Sequence, residues 1–82
     1  GVYPNPIAGK LRIGITGMTL RENYHAVLMD AMGRVVLRAS TAAGPGTAVI
    51  ELDVKDLPAQ TYFLKLFNDR RDKVLVQPIV KQ

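Results

Sequence analysis

Short runs in which apolar residues alternate with polar ones, punctuated by glycine or proline, leave this chain room for strands and little for helices. Leu11, Ile13 and Ile15 alternate with Arg12 and Gly14. Ile50, Leu52 and Val54 alternate with Glu51 and Asp53, and Tyr62, Leu64 and Leu66 with Phe63, Lys65 and Phe67. Successive side chains on a strand point to opposite faces, so this period of two marks strands with one buried face. Residues 23–30 and 34–39 are shorter runs flanking Asp30-Ala31-Met32-Gly33, which reads as a hairpin turn: Asp30 bonds backbone amides and Gly33 takes a positive φ. A sixth run, residues 73–81, follows the polar turn at residues 68–72, and Val2 and Tyr3 add a short edge strand before Pro4 stops it. Only residues 26–32 have enough apolar character for a helix, and turns bound them too closely. Six or seven strands spaced roughly 8 to 12 residues apart imply an all-β sandwich or small barrel. Its inward residues are expected to be Leu11, Ile13, Ile15, Ala26, Leu28, Val36, Ile50, Leu52, Tyr62, Leu64 and Leu66, with Tyr24 also inward.

With 82 residues there is material for one core, so residues 1–82 are read as a single domain. Hydrophobic residues make up 48% and charged residues 22%, which is globular rather than disordered usage. Cysteine is absent. Disulfides, cysteine zinc sites, iron–sulfur clusters and thiol nucleophiles go with it. No apolar run approaches the roughly 18 residues of a membrane-spanning helix, and the first residues lack the basic-then-apolar form of a signal peptide.

The net charge of +4 raises the question of an anionic partner. The eleven Lys and Arg are scattered among seven acids, with no basic helix and no aromatic-studded stripe, so nucleic acid is not the expected partner. Catalytic residue types fare no better. A Ser–His–Asp triad would need His25 and Ser40, the only histidine and the only serine. His25 falls mid-strand on the face opposite Ala26 and Leu28, without a serine-bearing elbow, and is expected to be an exposed strand residue. Asp53 with Asp56, or Asp69 with Asp72, supply too few ligands for calcium and are expected to serve their own turns. Gly44-Pro45-Gly46 lacks the phosphate-loop spacing and no helix follows it. No enzyme activity, metal or cofactor is expected. Phe63, Phe67, Val27 and Met29 fall on outward positions where polar residues belong. They are a docking surface, or the mark of sheet faces that are both partly covered, or of a register wrong by one.

The motifs together resemble a known family. Tyr3-Pro4-Asn5-Pro6, Gly9 and Leu11, Asp30-x-x-Gly33-Arg34-Val35-Val36, Leu52-x-x-x-x-Leu57-Pro58-Ala59, Tyr62-x-Leu64-Lys65-Leu66 and the terminal Lys81-Gln82 look, in this order and spacing, like the type A C-terminal sorting domain of the type IX secretion system. The resemblance runs from residue 2 to residue 82. It implies an immunoglobulin-like antiparallel β-sandwich that carries an N-terminal cargo domain from the periplasm across the outer membrane. The implied partners are the outer-membrane translocon, a shuttle protein and a sortase-like protease that removes the domain, leaving cargo anchored to the cell surface or released. The oligomeric state is left open.

Within the resemblance, Ile79, Val80, Lys81, Gln82 and Arg34 are the recognition candidates. The tail is expected to lie at a sheet edge, open to an added partner strand and contributing little to the core. Tyr3, Pro4, Asn5, Pro6, Asp30, Gly33, Leu57, Pro58, Ala59 and Tyr62 are the structural motif. The chain departs from the family at two places. Gln60 stands where glycine is usual, so a turn of the family's geometry would give residue 60 a positive φ, and Gln60→Gly would stabilise. Gln77-Pro78 falls in the last run, which is therefore expected at an edge or interrupted, because proline cannot donate to a ladder. The second reading, from another class, is an immunoglobulin-like accessory module that binds carbohydrate or packs on a catalytic domain.

Overall fold

The computed structural model describes residues 2–3, 8–18, 21–72 and 74–82, and among them every regular element is a strand. In chain order these are β1 (Val2–Tyr3), β2 (Lys10–Met18), β3 (Glu22–Met29), β4 (Val35–Ala43), β5 (Gly46–Asp53), β6 (Thr61–Asn68) and β7 (Val74–Val80). They form two antiparallel sheets, ordered β1-β2-β5 and β4-β3-β6-β7. The chain crosses between sheets after β2, β4 and β5, which gives the immunoglobulin-like sandwich that the sequence implied. Of the entry motif, Tyr3 pairs with Arg12 in β1–β2, while Pro4, Asn5 and Pro6 lie outside the described residues.

Alternation sets the core. Leu11, Ile13 and Ile15 from β2 and Ile50 and Leu52 from β5 face Tyr24, Ala26 and Leu28 from β3 and Tyr62 and Leu64 from β6, all buried. Val36 and Leu66 are only partly buried, whereas Val54 and Ile79 are fully buried. The change at Val36 has a local cause. Leu28 pairs with Leu37 but Met29 with Val35, so Val36 is the extra residue of a β-bulge, and Leu37 and Ala39 join it in packing against the core from β4. β4 also runs on through residues 40–43, a stretch of small and polar residues with little strand signal of its own. Pairing with residues 22–25 of β3 holds it there.

β7 is continuous through Pro78 and lies at one edge of the four-stranded sheet, as its proline requires. The link between β4 and β5 is the tight Gly44-Pro45-Gly46 segment, with φ of 106° at Gly44 and 108° at Gly46. These are backbone conformations open to glycine and costly to other residues.

Candidate functional site

Chain direction and register bring the recognition candidates to one end of the sandwich. Met29, at the end of β3, pairs with Phe63 near the start of β6, and Phe63 pairs with Pro78 near the end of β7. The 30–34 turn, the 54–60 connection and the tail at 79–82 therefore share that end. Arg34 precedes β4, three strands away from β7. At about 4.8 Å per strand this puts Arg34 and the tail roughly 14 Å apart across the sheet.

The tail is a folded part of this end rather than a loose appendage. Ile79 pairs with Tyr62 and is 0% exposed. The Lys81 amide donates to the Gln60 carbonyl at 2.9 Å, and its Nζ donates to the Gln82 carbonyl at 2.7 Å, leaving Lys81 8% exposed. Only Val80 and Gln82 of the four are exposed. The expectation that the last residues contribute little to the core is thus overturned. The alternation that buries Tyr62 on β6 also buries its cross-strand neighbour on β7.

The Leu57-Pro58-Ala59 motif is explained by Tyr62. Its hydroxyl donates to the Pro58 carbonyl at 2.7 Å, closing the turn that leads into β6 from inside the core. This is the tyrosine corner of immunoglobulin-like sandwiches, in which a tyrosine near the start of a strand bonds the backbone a few residues upstream. Leu57 packs against the core beneath it. The inferred glycine geometry at residue 60 is not found. Arg71 is the one non-glycine residue with positive φ among the described residues, so Gln60 is unstrained and a glycine there would only add freedom to the unfolded chain.

At the neighbouring turn Asp30 does what its sequence context suggested. Its Oδ1 accepts from the Met32 amide at 2.9 Å and the Arg34 amide at 3.0 Å, and its Oδ2 accepts from Arg34 Nε at 2.9 Å. Gly33 supplies the positive φ, 82°. The Arg34 amide bond, helped by the Arg34 side chain and the Met32 amide, outweighs partial burial and holds the Asp30 carboxyl below its ordinary value of 3.8. Arg34 is therefore tethered at one nitrogen while its side chain stays 78% exposed.

Two clusters at the other end escaped the sequence reading. His25, Ser40 and Asp69 do come together: Ser40 Oγ lies 2.7 Å from His25 Nδ1, and Asp69 Oδ1 is bonded to His25 Nε2. The bonds from His25 and Asn23 hold the Asp69 carboxyl below its ordinary value. Residue types and order mimic a hydrolytic triad, yet the row sits on the outer face of a sheet beside an open depression. Activating a serine needs a water-excluding cleft and amide donors aimed at a developing oxyanion. The row instead pins β4, β3 and the β6–β7 turn together. Beside it, fully buried Asn68 donates to Glu22 Oε1 at 3.0 Å and to Asp72 Oδ1 at 2.6 Å. Arg70 reaches the same Glu22 oxygen at 2.6 Å and Asp72 Oδ2 at 3.4 Å, and the Tyr24 hydroxyl donates to Glu22 Oε2 at 3.2 Å. Only the mixed polar composition of residues 68–72 hinted at this knot.

Three of the four acids weighed as calcium ligands have other partners. Asp53 accepts from the Lys55 amide at 3.1 Å in its own turn, and Asp69 and Asp72 belong to the clusters above. Tyr24 and Tyr62 are in the core, so neither offers the aromatic platform that the carbohydrate-binding alternative wants.

The sequence model of the family described as secretion system C-terminal sorting domain matches residues 1–82, the whole chain. Comparison with curated proteins gives no match.

Proposed function

We propose that this chain, which belongs to the family of type IX secretion C-terminal sorting domains, is read by the secretion machinery as a folded handle through its C-terminal end. Family membership makes it a sorting signal attached to an N-terminal cargo that passes the outer membrane. The finer reading is that the outer-membrane translocon and a shuttle protein contact this end, and that a sortase-like protease afterwards removes the domain. Cargo then stays on the cell surface or is released.

One observation carries the proposal about where recognition lies: the tail is built into the fold while alternate side chains remain outside. Ile79 and Lys81 anchor it, and Val80 and Gln82 point away from the core at the end that also displays Arg34. A folded signal of this kind offers a partner a preformed surface and spares it the entropy of ordering a loose peptide.

The test fuses residues 1–82 behind a Sec signal and a fluorescent cargo in a host that has the system. Deleting residues 79–82 would remove a core side chain, so the informative variant is Val80→Ser with Gln82→Ala. Circular dichroism checks that it stays folded. Export of the intact fusion and periplasmic retention of the folded variant are expected. Equal export of both would remove these side chains from recognition, and failure of the intact fusion to be exported would remove the sorting reading.

A further inference from the structure

The outer face of the four-stranded sheet is apolar where a solvated face would be polar. Register lines up Met29, Phe63 and Pro78 in one row, Val27, Lys65 and Val76 in the next, and His25, Phe67 and Val74 in the third. The register is therefore not wrong by one: these side chains face outward, with Phe63 exposed and Val27, Met29 and Phe67 half-buried. Val76 is 60% exposed and Phe63 39%. Antiparallel sheets with one face in water alternate apolar-in with polar-out, and contiguous apolar surface that breaks this pattern marks interaction.

The charge on this face is mainly positive, with Asp69 as its one carboxylate. Arg38 pairs across from Val27 on the sheet, Lys65 Nζ stands 5.6 Å from the centre of the Phe67 ring, and the Arg71 guanidinium stands 4.6 Å from it. None of these three cations forms an ion pair with a carboxylate among the described residues. The nearest acid, Asp69, is bonded to His25 and Asn23. Arg71 also holds the left-handed backbone, φ 56°, a conformation uncommon for a non-glycine residue. A depression of about 290 Å³ opens between Arg38, Ser40, His25, Phe67 and Arg71.

We infer that this face is a docking surface for an acidic, apolar segment of a partner protein, with one partner carboxylate seated in the depression that Arg38 and Arg71 share. Charge complementarity selects the occupant. A second copy would set the three cations against three like charges, which disfavours pairing. An anionic bilayer would match the charge but has no side chain with which to fill a concave site. A strand or loop alternating Glu or Asp with Val, Ile or Phe matches both features at the spacing of the rows. This inference does not depend on the export reading.

The test is a titration of the isotopically labelled chain, followed by amide chemical shifts. The probe is a synthetic extended peptide alternating glutamate with valine and phenylalanine, and the control is the same peptide with glutamine for glutamate. Shifts confined to residues around Val27, Lys65, Phe67 and Val76 are expected, with binding about tenfold tighter for the glutamate peptide at low salt and the difference shrinking as salt rises. Arg38→Glu with Arg71→Glu should abolish that preference and favour a lysine version of the peptide. This charge swap distinguishes lost recognition from lost folding. Absent or scattered shifts, or equal binding of the glutamine peptide, would overturn the inference. So would shifts of these residues with anionic phosphatidylglycerol vesicles but not with peptide, or concentration-dependent shifts of this face in the chain alone.

Discussion

The two ends of the sandwich are closed by different kinds of bond. At the end that carries the tail, the closing side-chain bonds are local in sequence: Asp30 to the amides of Met32 and Arg34, and Tyr62 to the carbonyl of Pro58 four residues upstream. At the opposite end local bonds such as Asn68 to Asp72 are joined by bonds between residues far apart: Asn23 to Asp69 and Asn68 to Glu22, each 46 positions away, and Arg70 to Glu22 across 48. The first end consists of turns with local charge pairs such as Asp30–Arg34 over an apolar floor, and the second is a set of three carboxylates, two amides and a guanidinium. Local bonds form whenever the turn forms. The distant network exists only once both strands are in register, and it in turn fixes that register. The difference suggests a division of labour in which one end presents a rigid signal and the other specifies how β3 and β6 pair.

Substitutions can break or sharpen this contrast. The largest effect is expected at Ile79, where Ile79→Ala empties a fully buried site and should lower stability by about 3 kcal/mol in urea unfolding. A near-neutral result would mean that the tail is not docked. Asn68→Ala should cost about 2 kcal/mol, because it withdraws the buried donor that bridges the largely buried Glu22 carboxylate and the exposed Asp72 carboxylate. Tyr62→Phe should cost about 1 kcal/mol through the unpaired Pro58 carbonyl, with the fold retained. If it exceeded Asn68→Ala, the far end would not be the more demanding one. Gln60→Gly should destabilise by about 0.5 kcal/mol, the opposite of what a positive φ would give.

The smallest effect concerns acid. Asp30 and Asp69 have carboxyls held below 3.8 in the fold, so the stability they add is complete above that value and is lost as pH falls through their lower folded-state values. Asp30→Asn and Asp69→Asn should each flatten the acid limb of the stability curve. Loss of stability at higher pH would show that other groups govern it.

The same contrast explains what was legible in the sequence. The period of two placed Leu11, Ile13, Leu52 and Leu64 in the core, and Asp30 with Gly33 announced their own turn, because each signal lies within a few residues. The immunoglobulin-like arrangement came from motif order. The bulge at Val36 was not legible because it is decided by the pairing of two strands, and nothing in Arg34-Val35-Val36-Leu37 marks the extra residue. Ile79 was assigned to the surface by its nearness to the chain end, although its alternation with Val80 and the fixed inward side of Tyr62 required one of the two to be buried. The meeting of His25, Ser40 and Asp69 could not be read at all, since it depends on three segments whose neighbours in space are set only by sheet order.

The account rests on the tail being part of the folded signal, and amide hydrogen exchange at Lys81 tests that most directly. Its amide donates to the Gln60 carbonyl beside the buried Ile79, so it should exchange as slowly as the amides of the β6–β7 ladder and open only with global unfolding. Exchange at the rate of an unstructured peptide, while the β6 amides stay protected, would contradict the account.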